Sequence, residues 1–137
     1  MKIPSDIKYV KIVSEEVENF LKSKNANKTA IFDIRLCIEE AVKNAIIHGN
    51  RSRKDRSVFI SYALDGDRFS IEIEDEGKGF NPSKVPDPTQ NENLLREGGR
   101  GVFLIHKLMD EIKYNDRGNK TFMVKSIGKN KGGNNAG

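Results

Sequence analysis

Apolar residues return every three or four positions along DIRLCIEEAVKNAIIHGN, Asp33 to Asn50. Ile34, Ile38, Ala41, Ala45 and Ile46 form one stripe, which predicts a helix packed on a sheet. The helix begins at Lys28 or Thr29, and His48-Gly49-Asn50 closes it with a glycine at C′. An earlier helix spans about 5–23, with Ser5 as its N-cap and Ile7, Val10, Val13, Val17, Phe20 and Leu21 on its buried side.

The period then changes. Ser57 to Leu64 and Arg68 to Asp75 read as strands, the second alternating Phe69, Ile71 and Ile73 with Ser70, Glu72 and Glu74. Asp65-Gly66-Asp67 turns them into a hairpin with one face to the helices and one to water. Asn81 to Gly99 holds three prolines and no apolar period, so it predicts a long loop of the kind that serves as a lid. VFLIHKLMDEI then forms a third helix. Glu111 to Asn115 and Lys120 to Ile127, joined by Asp116-Arg117-Gly118-Asn119, form a second hairpin. The expected architecture is α+β: a mixed, mainly antiparallel sheet of four or five strands with helices on one side. One domain covers 1–128, and 129–137 is a flexible tail.

Composition narrows the class. At 137 residues the chain suits one domain with a real core, and no apolar run approaches the roughly 18 residues of a membrane span. The N-terminus lacks a signal peptide's apolar region, and the lone Cys37 cannot form an internal disulfide, so a reducing cytoplasm is expected. The net charge of +4 raises nucleic acid as a partner. However, the basic run Arg51 to Arg56 and the tail KNKGGNNAG carry no interleaved aromatic residues, and a solvated loop and a frayed end explain them.

Four features carry chemistry. Glu40 and Asn44 are one helical turn apart, about 40° around the axis, so they share a face, whereas Glu39 lies about 140° from Asn44 and reads as a solvated neighbour. A carboxylate beside a carboxamide suits a hard cation with its waters, and the carboxylate can polarise a hydroxyl. The same pair also occurs on ordinary solvated helix faces. Asp75 opens DEGKGF at a strand end, where Gly77 and Gly79 permit close approach. A buried Asp there can accept from an exocyclic amine, favouring adenine over guanine, although plain tight turns use the same residues. GGRG before an apolar helix offers backbone N–H groups to phosphates, with Arg100, Arg96 and Lys84 adding charge; a glycine hinge fits it as well. Thr121, at the start of the last strand, can donate a hydroxyl to the same phosphates.

Taken in chain order, EEAVKNAIIHGN, DEGKGF and GGRGVFLI resemble the GHKL class of ATP-binding domains, from about Ile3 to Gly128. More narrowly, EAVKNAIIHG and the opening IPSDIKYV are similar to the anti-sigma-factor serine kinases. The resemblance implies the Bergerat, or histidine-kinase-like, two-layer sandwich, binding ATP and Mg²⁺. It implies that Asn44 ligates Mg²⁺ and that Glu40 is the base accepting a substrate serine's proton. It also implies that Asp75 binds the adenine amine in a pocket shaped by Gly77 and Gly79. Gly99, Arg100, Gly101 and Val102 would meet phosphates, and Thr121 would close the site. The subfamily often has an arginine where Glu97 stands, so Arg96 or Arg100 would meet the γ-phosphate. The implied partners are a sigma factor and an anti-anti-sigma (STAS-domain) protein, with a homodimer also allowed and no direct nucleic acid or membrane contact. Two other functions fit the residues: a histidine-kinase catalytic domain, and a nucleotide-dependent binding module without phosphotransfer. The only histidines, His48 and His106, lie inside the ATP-binding elements rather than on a dimerisation segment, against the first. The presence of Glu40 argues against the second, because a pure switch needs no base.

Overall fold

A computed structural model describes residues 1–77 and 99–128. The chain runs β1 (Lys2–Pro4), α1 (Lys8–Ser23), α2 (Lys28–Asn44) with a π-helical continuation (Ala45–Gly49), β2 (Ser57–Asp65), β3 (Arg68–Asp75), α3 (Gly99–Leu108), β4 (Glu111–Tyr114) and β5 (Lys120–Ser126). The five strands form one sheet in the order β1-β2-β3-β5-β4. All four pairings are antiparallel, so the expected mixed sheet contains no parallel pair among the described residues.

The alternation in β3 does what its pattern demands. Phe69, Ile71 and Ile73 are buried against the helices, and Ile71 faces Met123 across the ladder to β5. Val13, Val17 and Leu21 of α1 and Ile34, Cys37, Ile38, Val42 and Ile46 of the α2 segment complete the core. Each fully buried aliphatic side chain contributes about 1.5–3 kcal/mol relative to exposure. Asn27 starts α2, its side chain accepting from the Ala30 amide at 2.7 Å. Gly66 (φ 60°) and Gly118 (φ 80°) supply the left-handed residues of the two hairpins. In the second, the Asn115 side chain also accepts from the amides of Gly118, Asn119 and Lys120.

Three expectations are corrected. Ser5 does not cap α1. Residues 2–4 pair with β2, which draws Ser5 into the interior, where its hydroxyl donates to the Arg56 carbonyl at 2.6 Å. The helix therefore starts at Lys8, whose amide donates to Asp6, and Ile7 is left exposed instead of joining the stripe. Glu39 is not merely solvated. It accepts from the buried Ser14 hydroxyl at 2.6 Å and lies 3.3 Å from Arg35, which also pairs with Glu18 at 2.8 Å, tying α1 to α2. Gly49 is not a left-handed C′ residue either. The helix widens into a π turn, Asn50 N–H donating to Ala45 at 2.8 Å, and Arg51 and Ser52 make the left-handed reversal instead.

Cys37 is fully buried in α2, and burial is the main reason its thiol is pushed up to about 12, with Asp33 adding to the shift. The folded protein is therefore expected to resist alkylation by iodoacetamide at pH 8 and to react only once denatured. Rapid labelling of the native chain would contradict this packing.

Candidate active site

Two clusters of the expected residues form on the helical side of the sheet. The first lies where α3 meets α2. Glu40 and Asn44 end one face of α2, and the start of α3 lies against them. A β-carbon built on Gly101 would stand 2.5 Å from Glu40 Oε2 and 3.5 Å from the Asn44 side-chain nitrogen. A larger residue would have to push the Glu40 carboxylate aside. The approach brings the first turn of α3, with the amides that a helix start leaves without intrahelical partners, to a carboxylate and a carboxamide. The other Glu40 oxygen is 3.3 Å from Lys43 Nζ. At its far end α3 is fastened to the sheet and to α2. Lys125 Nζ donates to the Leu108 carbonyl at 2.6 Å and lies 3.6 Å from Asp33, while Asp110 accepts from the Ser126 amide.

The second cluster is built around Asp75, where β3 ends. Its Oδ1 accepts from the Gly77 amide at 2.8 Å. Its Oδ2 lies against the Gly49 backbone, in the space that a Gly49 β-carbon would fill. A β-carbon on Gly77 would in turn collide with the Gly49 carbonyl oxygen. Gly49 is thus required by the approach of Asp75, and Gly77 by the approach of the helix end. Burial raises the Asp75 carboxyl above its ordinary value of 3.8, opposed by the Gly77 amide and by the charge of Arg117. The carboxylate is thus half-buried, with Oδ1 committed to the Gly77 amide and Oδ2 packed against the Gly49 backbone.

Thr121 pairs with Ile73 of β3 and Tyr114 of β4, so it shares the helix-facing side of the sheet with Ile73 and Asp75. Gly99, Arg100, Gly101 and Val102 form the first turn of α3. Gly79, Lys84 and Arg96 lie outside the described residues.

Other residues of the Asp75 turn escape the motif reading. Asn119 is buried, donates to the Asp75 carbonyl at 2.8 Å, and through its own carbonyl accepts the Asp75 amide at 2.9 Å. Arg117 donates to the Gly77 carbonyl at 3.1 Å. The buried Asn50 accepts the Glu76 amide at 2.8 Å. In sequence, Arg117 and Asn119 appear only as turn residues, and Asn50 only as the residue after a helix. Their signal is the register that places one hairpin beside the other's end.

A glycine-seated helix start over Glu40 and Asn44, and an Asp-x-Gly turn against the Gly49 end of the α2 segment, both stand on the helical side of a two-layer sandwich. Residues 3–125 match the histidine kinase-like ATPase domain, and the chain belongs to that family. Within it, the chain is similar to the serine-protein kinase RsbW of Staphylococcus epidermidis, 32% identical over 143 residues, covering 98% of this chain and 90% of that protein. The serine-protein kinase RsbW of Oceanobacillus iheyensis is 28% identical over 123 residues, covering 85% and 78%. Among solved structures, a histidine kinase domain from the blue-light activated histidine kinase of Erythrobacter litoralis superposes with a TM-score of 0.56 at 19% identity. The match covers 91% of this chain and 62% of that one, and supports the shared fold. No helix among the described residues is long and apolar enough to cross a membrane.

Proposed function

We propose that this protein is an ATP-dependent protein serine kinase that binds a sigma factor and phosphorylates a STAS-domain anti-anti-sigma partner. The observation that carries the reading is the seating of Gly101 on Glu40 and Asn44, which sets the first turn of α3 against a carboxylate and a carboxamide. The serine-protein kinases among the relatives support the reaction. The resemblance of the motifs supports the partners.

In this reading the adenine amine donates to Asp75 Oδ2, and the triphosphate runs toward the start of α3, with Arg96 or Arg100 and Lys84 adding charge. Glu40 takes the proton from a substrate serine as its Oγ bonds to the γ-phosphorus. The bond from that phosphorus to the β–γ bridging oxygen breaks, and ADP leaves. Asn44 offers a hard oxygen donor suited to Mg²⁺. No cluster of three or more His, Cys, Asp or Glu among the described residues can hold a metal by itself. The donor set therefore fits an ion delivered with the triphosphate and still partly hydrated, with Asn44 as the protein ligand. When bound, Mg²⁺ neutralises phosphoryl charge.

The test is a pull-down from the source cell with and without Mg·ATP, followed by phosphoserine analysis of what is retained. A sigma factor together with a serine-phosphorylated STAS-type protein would establish the reading. Retained partners without phosphate, despite ATP binding, would favour a nucleotide-switched binding module.

Asp75→Asn gives a second check. The amide's NH₂ would face the adenine NH₂, and loss of a charge-assisted bond of about 1.5–3 kcal/mol weakens ATP roughly 10- to 100-fold. Stability should move the other way. Because the folded carboxyl sits above its ordinary 3.8, its contribution is present at acid pH and lost as pH rises through the folded value. The amide variant should therefore melt no lower than the parent at pH 7, any advantage disappearing below about pH 4. A D75N protein that binds ATP as tightly as the parent would remove Asp75 from the base site.

A further inference from the structure

The backbone of the turn that carries Asp75 is held by Asn119, Asn50 and Arg117 and by the Asp75 side chain itself. Asp75 N–H goes to the Asn119 carbonyl and the Asp75 carbonyl accepts from the Asn119 side chain. Gly77 N–H goes to Asp75 Oδ1 and the Gly77 carbonyl accepts from Arg117. Glu76 N–H has one partner, Asn50 Oδ1 at 2.8 Å. Asn50 is itself fully buried and fully used: its Nδ2 donates to Ser5 Oγ and to the Ser57 carbonyl, both at 2.9 Å. One side chain therefore joins the end of α2, the end of β1, the start of β2 and the turn after β3.

We infer that Asn50 is a positioning residue for purine selection: by holding Glu76 N–H it fixes the rotation of the Asp75–Gly77 turn and so the aim of Asp75 Oδ2. The inference rests on Asp75 as the acceptor of the adenine amine. Its physical basis is that discrimination between an amine and a carbonyl on the base needs a fixed donor–acceptor geometry. An acceptor free to rotate by tens of degrees could meet either edge through water. A buried amide with all its hydrogen bonds made is the device that removes that freedom.

The experiment measures ATP and GTP affinities by titration for the intact chain and three variants. Asn50→Ala leaves Glu76 N–H without its acceptor and is expected to lower the ATP-to-GTP affinity ratio roughly tenfold. Ser5→Ala cuts the same network away from the turn, and is expected to lower Tm while leaving the ratio as in the parent. A ratio unchanged in Asn50→Ala, or lowered equally by Ser5→Ala, makes Asn50 a stability residue and overturns the inference with Asp75 intact. A ratio unmoved by Asp75→Asn removes the acceptor itself, and the inference falls with it. Should Asn50→Ala not fold, amide exchange on the unaltered protein decides. Glu76 N–H protected to the level of Asp75 N–H supports the clamp, and exchange as fast as in an open turn overturns it.

Discussion

Glu40→Ala is expected to bind ATP as the parent does and to lose phosphotransfer by a factor on the order of 10²–10⁴, the usual contribution of a positioned base. The separation is possible because Glu40 contributes little to the fold. Its side chain is 28% exposed, and its ion-pair partner Lys43 is 47% exposed. Such a pair is worth at most about 1 kcal/mol. Losing it should leave Tm nearly unchanged. Since the base acts only in the transition state, the turnover rate should fall while nucleotide affinity holds. Glu40→Gln keeps the shape beside Gly101 and removes the basicity, so it should lose as much. Transfer at the parental rate in either variant would exclude Glu40 as the base.

Gly77→Ala should damage both the fold and the site. The added carbon meets the Gly49 carbonyl group and also stands 2.9 Å from Asp75 Oδ1. Two of those neighbours are backbone, so no rotamer change relieves the clash, and the helix end must move away from the strand end. Overpacking of this kind costs about 1–3 kcal/mol, and it separates the two walls between which Asp75 is held. The expected result is a lowered Tm with ATP binding lost. Gly66→Asn is the matched control: Gly66 has open space around it and a φ of 60° that asparagine tolerates. That variant should keep ATP binding, and Gly77→Ala with parental affinity would show that the contact is not needed.

Much of this fold is legible in the chain because most elements carry a long period. The α2 stripe, the alternation of β3 and the two Gly-centred hairpins each repeat over enough residues to declare themselves. β1 does not, since three residues with a single inward side chain, Ile3, carry no period. Missing it misassigns its neighbours, because Ser5 reads as a cap and Ile7 as core only if no strand precedes them. The site divides in the same way. Glu40, Asn44, Asp75 and Gly101 are recognisable from local spacing and helical geometry. Gly49 is recognisable as a necessary glycine, but for the wrong reason: its constraint is a carboxylate 26 positions away in the chain, not its own dihedral angle. Asn50 and Asn119 act through partners on other elements, and spacing along one element cannot show them.

The polar fastening of α3 at its Leu108 end gives the helix the mechanics of a lever. Gly101 stands seven residues from that anchorage, about 10 Å along the axis. A tilt of about 10° about the Lys125 contact would therefore carry Gly101 some 2 Å toward or away from Glu40. On the proposed function, gripping or releasing a triphosphate asks for a small rotation of one short rod, with the sheet and its core left standing.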